Sequence, residues 1–190
     1  MAEGRRGARL SAENIFVAYP LPAAGTLTVL EIARLAVPPG AHTAVCGPSG
    51  SGKTTLLHVL CGIEVPRSGR VCWDGLNLFS LGEAARDRWR RRTVGLVFQQ
   101  FHLFPSLSPL ENVLLPARFS RFLVETAVTH RARGLLDLVE VRAMGDTARL
   151  SRGEMQRVAL ARALLFARLS CSPTNPLPAS TPRLRRGWPG

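Results

Sequence analysis

Lysine is nearly missing from this chain. Of 25 basic residues, Lys53 is the only lysine and the rest are arginine. Acids are scarce too, 13 against those 25, which leaves a formal net charge of +12. A basic balance of that size usually points to nucleic acid. Here it follows as readily from GC-rich coding, because arginine codons are mostly CGN, and four of the arginines crowd into residues 168–190, where no acid occurs. Nucleic acid is therefore not expected as a partner. The four cysteines, Cys46, Cys61, Cys72 and Cys171, form no CxxC pair and show no metal-ligand spacing. That excludes a thiolate zinc module or a disulfide scaffold and fits reduced thiols. No apolar run approaches the ~20 residues that span a bilayer. Arg5, Arg6 and Arg9 are followed by no apolar segment of the signal-peptide kind, so the cytoplasm is the expected compartment. Internal repeats are absent, which excludes a solenoid.

What remains is 190 residues, one domain's worth, with 46% apolar composition for a core. Residues 12–19 and 27–36 read as short strands, and Pro38-Pro39-Gly40 as a turn. A β-like run, His42–Cys46, leads into glycine. Ser51–Cys61 then takes helical spacing, with Leu56, Leu57, Val59 and Leu60 on an apolar face. Arg70–Trp73 is a predicted strand before a turn at Asp74-Gly75. Residues 83–92 are polar and helical, and Val94–Phe98 is a candidate buried strand. Residues 109–140 read as mostly helical, with breaks expected at Pro116 and Gly134. Ser151 opens a further helix, and Glu154 three residues on makes a capping box with it.

One motif carries chemistry by itself. Gly47-Pro48-Ser49-Gly50-Ser51-Gly52-Lys53-Thr54 satisfies GxxxxGK[ST], followed by a second threonine, Thr55. A triphosphate must be met at close range by several backbone N–H groups, and glycines let the chain wrap it without Cβ clashes. The helix that follows turns its positive end to the same anion. Lys53 is expected on the β- and γ-phosphates, and the Thr54 hydroxyl on Mg²⁺. A random chain of this length matches the pattern about 1% of the time, so chance is a poor account of it. The loop alone leaves kinases, GTPases and many ATPases open.

Two further segments narrow the choice. Leu150-Ser151-Arg152-Gly153-Glu154-Met155-Gln156-Arg157 resembles the LSGGQ/LSGGE signature of ABC ATPases, and the following VALARAL resembles that family's signature helix. Val97-Phe98-Gln99-Gln100-Phe101 resembles its glutamine loop, with Glu111-Asn112-Val113 at the family's usual spacing. The wording is most similar to the lipoprotein-release and macrolide-export group. The resemblance covers about residues 12–166. It implies an α/β fold: a P-loop ATPase core with an N-terminal antiparallel β region and a helical subdomain at about 105–150. It implies ATP and Mg²⁺ as ligands, with Gln99 touching the metal and the attacking water. Ser151 and Gly153 would meet the γ-phosphate held by a second copy, so a homodimer is implied, together with a membrane permease that holds the chain at the inner membrane face. Arg152 departs from the usual glycine. Tyr19, the only tyrosine, stands where the family places an aromatic against adenine, although a lone strand aromatic also suits a core.

The same resemblance exposes a gap. The family hydrolyses ATP with an aspartate and a glutamate at the end of an apolar strand after the signature helix, and a histidine beyond. No Asp or Glu follows Glu154 here, and His42, His58, His102 and His130 all precede the signature. The segment Leu135-Leu136-Asp137-Leu138-Val139-Glu140 lies upstream and has helical spacing. Residues 168–190 turn proline-rich and aperiodic and are expected to be unstructured. With common CGN, CTN and TCN codons, shifting the frame at the third base of Ala167 permits APVLLADEPTASLDT. The expectation is a tail translated out of frame, one base lost or two gained; a natural proline- and arginine-rich tail is the alternative. Either way the chain is expected to lack a core strand and to turn over little ATP. A non-catalytic nucleotide-binding or regulatory module is the second reading. An ABC ATPase acting on nucleic acid is disfavoured by the short stretch between Lys53 and Ser151.

Overall fold

The computed structural model describes residues 8–21, 25–119 and 124–166, and the backbone of 169–171. They form an α/β chain of two units, one ending at Ser80 and the other beginning at Leu81.

The first unit is a four-stranded antiparallel sheet in the order β2-β1-β3-β4 with one helix. Strand β1 (Leu10–Leu21) pairs with β2 (Gly25–Val37) on one side and β3 (Ser68–Trp73) on the other. Strict alternation would bury only even positions of β1. Leu10 and Ala12 obey it, but the buried set then moves to Ile15 and Val17. A bulge causes the switch: Asn14 takes φ 52° and the β1–β3 register shifts between Glu13 and Phe16. Across the bulge stands Gly69, at φ 101°, where a Cβ would sit 2.4 Å from the Asn14 carbonyl oxygen. Any side chain there would force the strands apart. Strand β3 turns at Asp74-Gly75 into β4 (Leu76–Asn77); both turn residues have positive φ, the two-residue hairpin geometry that matches strand twist.

Helix α1 (Lys53–Leu60) buries Leu56, Val59 and Leu60. The Trp73 indole nitrogen donates to the Leu60 carbonyl at 2.8 Å, tying the end of α1 to β3. The strand expected at His42–Cys46 does not form. Residues 41–48 are irregular and exposed, Val45 among them. The run has the right residue types, but among the described residues no ladder partner pairs with it, and a strand without a partner leaves its backbone to water.

In the second unit, α2 (Glu83–Thr93) leads to β5 (Val94–Leu96), shorter than the five residues expected, though Val97 is buried beyond it. Three helices follow: α3 (Pro109–Arg118), α4 (Thr126–Leu138) and α5 (Arg152–Leu164). They pack around Leu110, Val113, Leu114, Ala132, Leu135, Leu136, Val158, Ala161 and Leu165. Each such leucine or valine contributes about 1.5–3 kcal/mol when fully buried. The Leu135–Glu140 segment is helical through Leu138, as its spacing implied.

Neither expected break falls where the sequence put it. Pro116 sits inside α3 and Gly134 inside α4. Proline removes one helical donor, but the flanking Leu114 and Ala117 are buried and hold the last turn in place. Gly134 faces open space and costs its helix only about 1 kcal/mol. The tail expected to be unstructured from residue 168 contains a strand, β6 (Leu169–Cys171), parallel to β5 with Val94 opposite Leu169 and Leu96 opposite Cys171. An exposed ladder edge on β5 accepts any extended backbone of three residues, whatever its side chains. The rest of that expectation lies outside the described residues.

Asn112 is fully buried on α3. Its amide donates to the carbonyls of Phe104 (3.0 Å), Leu107 (3.1 Å) and Ser108 (3.2 Å), and accepts from the Phe104 N–H at 2.8 Å. Thr147 joins the clasp through its hydroxyl, 3.3 Å from Asn112 and 2.5 Å from the Leu107 carbonyl. Truncation strands several of these groups without water. Asn112→Ala is expected to lower the unfolding free energy by about 3 kcal/mol, read from urea midpoints; a loss under about 0.5 kcal/mol would show that the clasp does not hold the loop.

Candidate functional site

The phosphate loop is built on the entry to α1. Gly50 and Gly52 take φ 80° and 79°, so the chain doubles back just before the helix. At Gly52, the N-cap, a Cβ would stand 2.7 Å from the Val29 carbonyl oxygen; only glycine lets the loop lie against β2. No acid occupies the first turn of α1, which leaves its positive end uncompensated. The Lys53 ammonium curls over the loop and donates to the carbonyls of Gly47 (2.9 Å) and Pro48 (2.5 Å), with the Ser51 hydroxyl at 3.4 Å. Residues 47–51 and Thr54 are exposed, and Thr55 is half-buried. The loop thus offers glycine backbone, a helix N-terminus, one cation and a hydroxyl at an open surface, a fit to a polyphosphate with its metal.

Tyr19 lies near the end of β1, opposite Leu27 of β2. Both are partly exposed, so Tyr19 is not a core aromatic. Its hydroxyl donates to a Glu64 carboxylate oxygen at 2.8 Å. That bond raises the phenol above its ordinary value of 10.0, with burial adding to it.

The glutamine loop and the signature meet in the second unit. Gln99, Gln100, Phe101, His102 and Leu103 line a cavity of about 640 Å³ with Arg152 and Met155 from the first turn of α5. The Arg152 guanidinium sits 5.8 Å from the centre of the Phe101 ring, within cation–π range. The capping box expected at Ser151 is present. The Ser151 hydroxyl accepts from the Glu154 N–H at 3.3 Å, and the Glu154 carboxylate accepts from the Ser151 N–H at 2.9 Å and its hydroxyl at 2.6 Å. Ser151, Arg152 and Gly153 are exposed, Gln156 is half-buried, and Leu150 packs against the three-helix core.

Sequence reading missed two residues that shape this region. Arg162, three turns along α5, donates to the carbonyls of His102 (2.7 Å) and Phe101, and burial lowers its guanidinium from its ordinary value. Asn112 orders the loop from the other side. An arginine in an apolar helix run and an asparagine on the same helix turn as Leu110, Val113 and Leu114 were the available signals.

Comparison with known proteins bears on the family and the fold. The sequence profile of the ABC transporter family matches residues 30–168. The lipoprotein-releasing system ATP-binding protein LolD 1 of Rhodopirellula baltica is 43% identical over 166 residues, covering 84% of this chain and 72% of that protein. LolD of Syntrophotalea carbinolica is 45% identical over 142 residues, covering 72% of this chain and 61% of that one. The chain therefore spans only part of the length of these relatives. Among solved structures, the dimer of MJ0796, a bacterial ABC transporter cassette, superposes with a TM-score of 0.77 at 32% identity, over 86% of this chain and 72% of that one. A post-hydrolysis state of MJ0796 bound to ADP and Pi gives a TM-score of 0.76 at 31% identity, with the same coverages.

The capping box makes a pH signature. The Ser151 hydroxyl, then its amide, hold the Glu154 carboxyl below its ordinary value of 4.5. A lowered value in the folded chain means that the unfolded chain binds the proton first, so the stabilisation is present above about pH 4.5 and is lost as pH falls through the folded value. Glu154→Gln is expected to flatten the stability profile as pH falls below about 4.5; an unchanged slope in urea melts would contradict it.

Proposed function

Because the chain belongs to the ABC transporter family, we propose that it is the ATP-binding subunit of a transporter whose relatives carry the name of lipoprotein release. The observation that carries this reading is the loop at 47–54, closed over by the only lysine of the chain and opening onto the N-terminus of α1. Gly47, Ser49, Gly50, Ser51 and Gly52 present backbone N–H groups to the triphosphate, and Pro48, which has none, shapes the turn between them. Lys53 exchanges its two carbonyl partners for phosphate oxygens, and Tyr19 supports the adenine. Thr54 and Gln99 would hold Mg²⁺, which when bound neutralises charge on the β- and γ-phosphates. The homodimer is supported by the dimeric cassette that the fold matches. Ser151 and Gly153, exposed at the start of α5, would then meet the nucleotide of the other copy, the Ser151 hydroxyl turning its donor from Glu154 to the phosphate. No helix among the described residues is long and apolar enough to cross a membrane, so attachment to the inner membrane face is assigned to a permease partner.

The 190-residue chain is proposed to bind ATP without useful turnover. Polarising an attacking water needs a free carboxylate at the γ-phosphate, and the carboxylate nearest the signature, Glu154, is occupied by Ser151. No acid follows it in the sequence. This same fact keeps the non-catalytic nucleotide-binding module as a second reading. Binding of a fluorescent ATP analogue and release of phosphate are measured together. The expectation is saturable binding, weakened about 10–100-fold by Lys53→Ala, with phosphate release at background. Normal turnover would overturn the hydrolysis-deficient reading, and absence of Lys53-dependent binding would overturn the nucleotide reading itself.

A further inference from the structure

The second unit contains an arginine whose placement the proposed function does not require. Arg162 lies on α5 between Ala161 and Ala163, both buried. Its guanidinium is bound to two successive carbonyls, Phe101 and His102, and among the described residues no carboxylate pairs with it. Withdrawing a cation from water against backbone dipoles alone is unfavourable, as its lowered proton affinity shows. An apolar side chain would pack at this position at less cost. What an apolar residue lacks is the rigid fork of N–H donors that can hold two acceptors at once.

The two carbonyls belong to the stretch that most needs holding. His102 takes φ 46°, a conformation side-chain-bearing residues rarely adopt, and its ring packs edge-on to Phe98 at 5.3 Å between centroids. The Phe101 ring meets the other end of α5 through Arg152. One helix therefore grips both the ring and the carbonyl of Phe101, and Gln99 stands two residues away, exposed on the same cavity.

We propose that Arg162 is a positioning residue: by gripping Phe101 and His102 it fixes the 99–103 loop to the signature helix and so sets where Gln99 can reach. Loop and helix then move as one piece, and Gln99 cannot shift without α5. The part concerning Gln99 rests on the nucleotide-binding reading; the grip itself does not.

Two measurements separate these. Chymotrypsin cleavage after Phe101 is followed in the ligand-free chain for the parent, Arg162→Lys and Arg162→Gln, with melting temperatures alongside. Lysine is a point charge and cannot bridge both carbonyls in fork geometry. Cleavage about 10-fold faster at an unchanged melting temperature is expected; an unchanged rate would overturn the grip. Failure of both variants to fold would make Arg162 a structural residue and overturn positioning. Affinity for ATP is then measured with and without Mg²⁺ for Arg162→Lys, Gln99→Ala and the double variant. Each single change is expected to weaken Mg²⁺-ATP binding about 3–10-fold, to leave Mg²⁺-free ATP binding unchanged, and not to multiply in the double variant. Multiplying effects would show that Arg162 does not act through Gln99. A parent chain that binds no ATP would overturn the nucleotide reading and the Gln99 part with it, while cleavage still decides the grip.

Discussion

The second unit depends on one helix that starts in water and ends in a core. Helix α5 opens at an exposed serine and, from its second turn onward, buries Val158, Ala159 and Ala161, with Leu165 buried at its C-cap. Val158, Ala161 and Leu165 join α3 and α4; Ala159 and Ala163 pack with Val97 just past β5. Interiors are close-packed, so such a helix has little freedom to slide. Its first turn is consequently held at a fixed height above the core, which is what an anion-contacting helix end requires. The loop carrying Gln99 is attached to the same rod.

Helix α1 repeats the construction in the first unit. It starts at an exposed glycine loop and ends with the Leu60 carbonyl bound by Trp73. The two helix ends differ in charge, and the difference suits their proposed roles. The first turn of α1 has no acid and its own lysine, which suits the triphosphate role proposed for it. The first turn of α5 already holds Glu154 against its N–H groups, which offsets part of the helix dipole. That suits the weaker role proposed for it, a γ-phosphate presented by another molecule, and Arg152, in place of the family's usual small residue, returns a positive charge there.

The chemistry was more legible in the sequence than the sheet. The phosphate-loop motif and the Ser151 capping box are local, each specified within eight consecutive residues; the capping box stands in the structure as the sequence described it, and the loop leads into α1 although the strand expected before it does not form. Tyr19 was readable as an aromatic but not as exposed, because exposure depends on where β2 ends. The strand at His42–Cys46 and the stretch Leu169–Cys171 were misread for a single reason. Residue types set what a segment can do, while a strand forms only where a ladder edge accepts it. Val45 and its neighbours found no partner among the described residues; Leu169–Cys171, with no pattern to recommend it, found β5. Arg162 stood out only as an arginine in an apolar run; what it holds was not legible, because its partners are backbone carbonyls sixty positions away.

The scarcity of lysine provides the most direct test of the central claim, that the 47–54 loop is a triphosphate site built around Lys53. In chain labelled with ¹⁵N-lysine, a single side-chain ammonium is present. The account predicts that ATP moves this one resonance saturably and that adenosine does not, because the ammonium must leave the carbonyls of Gly47 and Pro48 for phosphate oxygens. A resonance indifferent to ATP, or moved equally by adenosine, would contradict it.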